Sequence, residues 1–215
     1  MSAKSEQKVR THGAILQSAE RLLRERGIAG ASVVDVMRGV GLTVGGFYAH
    51  FASKEKLIDT ALRRTASAVR TRLFAQIEDQ PPADRVEVVL KRYLSAEHRD
   101  TPDEGCPLPA VVGEVATTAS EHREALAEQV DALAAELERH APKHAPLSRR
   151  QLALGMVVLM YGGLGLARAL RGSPLSDEIL SACRALGRLA ARADRERRVD
   201  RSIEPASPTA SPRPG

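Results

Sequence analysis

The chain has 215 residues, 43% hydrophobic, 27% charged and only 3% aromatic, with no Trp. That length can bury a substantial core, which Leu, Val and Ala must build; Ala, Leu, Arg and Glu favour helix, no β-branched run alternates with period two, and the fold expected is all-α. The net charge of +5 is uneven: residues 1–57 hold nine Lys/Arg against five Asp/Glu, residues 58–191 seventeen against eighteen, and the remainder six against four. A positive excess beside the N-terminal segment is what a nucleic-acid binder needs. Two cysteines, Cys106 and Cys183, are too few for a disulfide framework. The six His do not gather at ligand spacing, so no metal and no cofactor are expected. Residues 1–10 lack the apolar core of a secretory signal, and a cytoplasmic location is inferred.

Residues 1–8 read as a flexible basic arm. From about Lys8 to Arg26, Ile15, Ala19, Leu22 and Leu23 recur at helical spacing, and Gly27 ends that first helix. Ser32 is an N-cap with Asp35 at the third helical position. The short second helix buries Val36, Met37 and Val40, and Gly41 suits the left-handed position that ends it. Thr43 is expected to cap a third helix, and Ser53 a fourth that runs to about Gln80. Helices joined across Gly41, Leu42 and Thr43 form a helix-turn-helix with the third helix as reading element. Phe47, Phe51 and Leu57 have the spacing to face its small core. Gly45 and Gly46 cost that short helix about 1 kcal/mol each relative to Ala, which close approach to bases or phosphates would explain.

Pro81 and Pro82 break the chain. A fifth helix, about Asp84 to Arg99, turns Val88, Val89 and Leu94 inward. Asp100 to Gly105 is a loop, and Pro107 opens a sixth helix through Val111, Val112 and Val115. A seventh, from about Ser120 to His140, carries Leu126, Val130, Leu133 and Leu137, and Ala141 to Pro146 is a second loop. Ser148 opens the most apolar helix, Gln151 to Leu170. A membrane span is set aside there because the uncharged run is short before Arg168. Gly155, Gly162, Gly163 and Gly165 are placed as for close helix packing. A ninth helix, about Ser176 to Asp194, presents Ile179, Leu180, Cys183, Leu186 and Ala190. Residues 197–215, rich in Pro, Ser and Arg, read as a disordered tail.

The run from Ala31 to Leu57, above all Gly46 to Glu55, resembles the DNA-binding domain of TetR-family transcriptional regulators. The resemblance covers about 45 of the 215 residues; the helical remainder agrees with the family in length and helix count. It implies an N-terminal three-helix helix-turn-helix domain (1–57) and a larger helical ligand-binding and dimerisation domain (58–196). It also implies a homodimer paired through the last two helices, about 151–171 and 176–194, on a pseudo-palindromic operator in double-stranded DNA. Thr43, Tyr48, His50 and Lys54 match family phosphate contacts, Val44 and Gly45 match positions facing base edges, and Ser32 matches a backbone-contacting cap. Many family members carry a charged or long polar residue where Val44 stands. Direct readout is therefore expected to be sparse, with site choice resting on Val44, the N-terminal arm and DNA shape.

For the larger domain the resemblance places an unidentified small-molecule effector among the fifth to eighth helices. Candidate lining residues are Leu94, His98, Cys106, Val111, Val115, Leu133, Met156, Met160 and Tyr161, and the few aromatics point to an aliphatic cavity. Cys106 stands between Gly105 and Pro107 at an expected helix N-terminus, where the dipole favours thiolate while Asp103 and Glu104 oppose it. The segment around it looks similar to a branch of the family in which a cysteine senses electrophiles or oxidants. Cys183 is expected in the dimer interface. The function expected is an inducible repressor, with redox sensing through Cys106 or transcriptional activation as alternatives. No catalytic triad, phosphate loop or metal set supports an enzyme. A nonspecific architectural DNA binder is told apart by its specificity ratio.

Overall fold

The computed structural model describes residues 2–142 and 147–201, and among them it holds nine α-helices and no strand. Ser2 starts α1 (Ala3–Arg26): its hydroxyl accepts the Ser5 N–H at 3.3 Å, and Glu6 lies in the positive first turn. The expected basic arm is therefore helical from Ala3 onward. Ile15, Leu16, Ala19, Leu22 and Leu23 form its buried face.

Serine caps also start α2 (Val33–Arg38), where Ser32 accepts the Asp35 N–H at 3.1 Å, and α3 (Lys54–Leu73), where Ser53 accepts the Lys56 N–H at 3.2 Å. Between them Gly41 has φ +70°, with its own N–H on the Arg38 carbonyl and the Leu42 N–H on the Met37 carbonyl. This paired bond closes α2 and turns the chain. The third helix is not α: Val44–Ala49 forms a 3-10 helix, and the Thr43 side chain makes no capping bond to it. Two adjacent glycines give an α-helix too little support there.

α3 runs without a break from the head into the body of the molecule and stops at Leu73, short of Gln80. Arg92 takes up the freed carbonyls of Leu73 and Ala75 at 2.6 and 2.8 Å, and Gln76 adopts the left-handed conformation with φ 53°. The expected fifth helix is two, α4 (Arg85–Tyr93) and α5 (Ala96–Asp100). Ser95 caps the second by accepting the His98 N–H, while Arg184 claims the Leu94 carbonyl. A 3-10 turn over Pro102–Glu104 leads to α6 (Leu108–Thr117), on which Val112 is exposed rather than inward.

α7 (Arg123–His140) buries Ala125, Gln129, Leu133 and Leu137. α8 (Arg149–Ala169) opens on a reciprocal capping box between Ser148 and Gln151. By length and composition α8 could cross a membrane, contrary to the expectation that it is too short, but half of its apolar window is buried against the other helices. Of its glycines only Gly163 makes a close approach, a Cβ there lying 2.7 Å from the Cys183 Sγ; Gly155 and Gly162 face open space. α8 and α9 (Pro174–Arg201) form a helical hairpin flanked by α4 and α7. α9 passes the expected end near Asp194; residues 202–215 of the expected tail, and 143–146 of the second loop, lie outside the described residues.

Candidate nucleic-acid interface and effector cavity

A single buried ring aims the 3-10 helix. Phe47 is fully buried; it stacks on Phe51 with centroids 5.9 Å apart, and Phe51 stacks on His12 at 4.3 Å. With Phe47 pinned, Gly41 to Gly46 and Tyr48 to Ala49 form one exposed strip. Tyr48 is 70% exposed and rests edge-on against Phe47 at 5.2 Å, its hydroxyl reaching into solvent. Thr43, Val44, Gly45 and Tyr48 thus share a surface, with the Thr43 hydroxyl spared from capping and nothing within 4 Å of a Cβ at Gly45.

His50 and Lys54 are half-buried and flank the strip. Burial, and then the charges of His12 and Lys8, hold His50 below its ordinary value, so it offers a hydrogen bond rather than a charge at neutral pH. Its Nδ1 is buried without a partner. Lys8, beside His50 on α1, was not singled out from the sequence; its place on a basic amphipathic helix was the available signal. The Ser32 hydroxyl donates to the Asp35 carboxylate, which commits its proton inside the capping loop.

In the body, Cys106, Leu133 and Tyr161 meet in one small cavity between α3, α4, α6, α7 and α8. Tyr93, which sequence reasoning missed, lines it too, so two of the three tyrosines of the chain stand where an aliphatic cavity was expected. Cys106 is 2% exposed, and burial raises its thiol above the ordinary value despite the Tyr93 hydroxyl and the Leu108 N–H beside it. It is a neutral thiol at pH 7. His98 lies outside this cavity: its Nδ1–H donates to the Tyr93 carbonyl at 2.8 Å, and its Nε2 accepts the Cys106 N–H at 2.9 Å. It borders an open cleft of about 250 Å³ with Arg72, Arg92 and Gly105. Leu94, Val111, Val115, Met156 and Met160 are buried in the core and line neither space. Cys183 is half-buried against Gly163.

Head and body are joined at a point no motif marked. Glu114 of α6 accepts the Ile28 N–H at 2.7 Å and the Ala29 N–H at 2.8 Å in the loop between α1 and α2. Gly27, with φ +70°, leaves room for that carboxylate, which a Cβ would strike. Arg24 reaches the Asp103 carbonyl at 2.9 Å alongside.

Residues 15–61 match the family described as bacterial regulatory proteins, tetR family. The repressor KstR2 of Mycobacterium tuberculosis is 41% identical over 51 residues, which is 24% of this chain and 26% of that protein. The regulator EthR of the same organism is 38% identical over 72 residues, 34% of this chain and 33% of its own. The chain thus spans about a quarter to a third of the curated relatives it matches. Over the whole fold, the reduced form of Escherichia coli NemR superposes with a TM-score of 0.74 at 21% identity, covering 86% of this chain and 98% of that one. At that identity the likeness speaks for the fold.

Proposed function

We propose that this chain, whose residues 15–61 match the tetR family of bacterial regulatory proteins, is a cytoplasmic, homodimeric repressor released from a palindromic operator by a small molecule. That match supports a transcriptional regulator rather than an enzyme. The observation that carries the DNA-binding reading is the exposed strip from Gly41 to Ala49, held out on the buried Phe47. Thr43, Tyr48, His50 and Lys54 fix register on phosphates, while Val44 and Gly45 meet base edges. One of the two relatives, KstR2, is a repressor, which favours repression over activation. Residues 1–57 act as reading head and 58–196 as effector and dimerisation body.

The outer faces of α8 and α9 favour pairing: Leu154, Val158, Leu166, Leu186 and Leu189 are all exposed, a larger apolar stripe than scattered surface residues leave. Effector entry would shift α6, and Glu114 would pass that shift to the head through Ile28 and Ala29. Redox sensing at Cys106 is the less favoured reading, because the thiol is buried and held protonated.

Selection of bound DNA from random sequence, using the full chain, tests the reading. An operator with two-fold symmetry and half-sites about one helical turn apart is expected, and recovery without sequence preference would overturn it. On that operator, Lys54→Ala should weaken binding to all variants alike and reduce the salt slope by about 1; a changed site preference would contradict its positioning role.

A further inference from the structure

The core cavity is lined by donors and lacks a carboxylate. Its apolar wall is Ala66, Val69, Leu73, Leu108 and Leu133, and its polar groups are Tyr93, Tyr161, Gln129, Cys106 and Arg70. The Tyr161 hydroxyl is buried without a hydrogen-bond partner, and the wholly inaccessible Tyr93 hydroxyl has only the weakly bonding Cys106 thiol beside it. Burial raises both phenols well above their ordinary values, so each is a neutral donor. A buried hydroxyl left unpaired, beside one answered only by a thiol, is costly, and native cores rarely leave such groups without a ligand or water to answer them.

Arg70 sharpens the chemistry. Among the described residues this half-buried guanidinium makes only two long contacts, 3.4 Å to the Gln129 side-chain Oε1 and 3.5 Å to the Ser67 hydroxyl. Among the described residues no carboxylate lies within ion-pair distance of it. Its charge reaches the Tyr161 hydroxyl, and that of Arg168 reaches Tyr93 and Cys106. Every charge bearing on the cavity wall from these groups is positive, and a partly buried cation without a counter-charge is a site waiting for an anion.

We propose that this cavity is an effector site for a compact monocarboxylate, its carboxylate taken by Arg70 and the Tyr161 and Tyr93 hydroxyls and its apolar body by Val69, Leu73 and Leu133. The free space, about 10 Å³, admits about one water. Binding therefore requires the wall to open. Val69 and Leu73 line both this cavity and the 250 Å³ cleft beside it, so the opening lies toward the cleft, past Gly105 and Cys106. That strand is tied by the His98 Nε2 bond to the Cys106 N–H and by Arg168 to the Cys106 carbonyl at 3.2 Å. Entry loosens these ties at the start of α6. The regulatory meaning of that movement rests on the inducible-repressor reading; the binding chemistry does not.

Calorimetric titration of the full-length protein with benzoate and hexanoate, beside the isosteric benzamide and hexanamide, tests the site. The carboxylates are expected to bind at least about tenfold more tightly than their amides, as charge-assisted bonds to Arg require. Arg70→Gln should weaken carboxylate binding by about thirtyfold or more. Tyr161→Phe should weaken it by about tenfold while raising the melting temperature of the free protein, since an unanswered hydroxyl is removed. Equal binding of acid and amide, binding by none of the four, or full binding by Arg70→Gln would each overturn the proposal. Operator release on the same samples separates the two readings. Carboxylate binding without release sinks the inducer reading and leaves the site; release by amides alone sinks the site and leaves the inducer reading.

Discussion

His98 bridges two backbone groups and can do so only when neutral, since a protonated Nε2 has no lone pair for the Cys106 N–H. Burial, then the charges of Arg168 and Arg72, against the pull of the Tyr93 carbonyl, lower its pKa to about 4. An unfolded histidine protonates near 6.5, so the unfolded chain takes up this proton first. The stabilisation, at most roughly 3 kcal/mol, is complete above about pH 6.5 and drains away as pH falls toward 4. His98→Gln should thus melt below wild type at pH 7, and the two melting curves should converge near pH 4. Parallel curves across that range would show that His98 does not titrate as described. The sequence offered His98 as a pocket residue, and it does border the cleft. Its actual partners are a carbonyl and an N–H, which residue types do not encode.

Among the elements, α6 carries one charged residue in ten, Glu114, and that residue holds the loop between α1 and α2. Glu114→Ala strands two N–H groups, at a cost of roughly 1–3 kcal/mol, localised to the head. Hydrogen exchange should show amides 28 and 29 losing protection while α8 keeps its own; unchanged protection at 28 and 29 would rule out the clamp. A lone acid in an apolar helix was a legible signal, although its target was not. Helix starts were legible wherever a local cap decides them, at Ser32, Ser53 and Ser148. Ends and breaks were less so, because distant donors decide them: Arg92 stops α3, and Arg184 with His98 divides α4 from α5. The winding of Val44–Ala49 escaped for a different reason, since a six-residue segment shows too few turns for periodicity to tell 3-10 from α.

At the scale of the whole molecule, the exposed stripe on α8 and α9 is the proposed pairing face. Val158 is 72% exposed near its middle, so Val158→Asp costs little packing within the subunit. The expected outcome is a folded monomer by light scattering, with operator affinity falling toward that of a single half-site. A variant that remains dimeric would place the interface elsewhere. The sequence could not separate this face from the core, because Leu186, exposed, falls in the same helical series on α9 as Leu180, buried. Periodicity marks a helix as amphipathic without saying whether its apolar side meets the same chain or another.

Gly45 bears on how such a regulator changes its target over time. Its φ is not in the left-handed region, and a side chain there would point into open space. Almost any residue at 45 would leave the free protein intact, and Ala would favour helix by up to about 1 kcal/mol. On the proposed DNA-binding reading, new side chains at this position are filtered by DNA alone. Operator preference would then drift or be re-engineered one residue at a time, without compensating mutations in the fold.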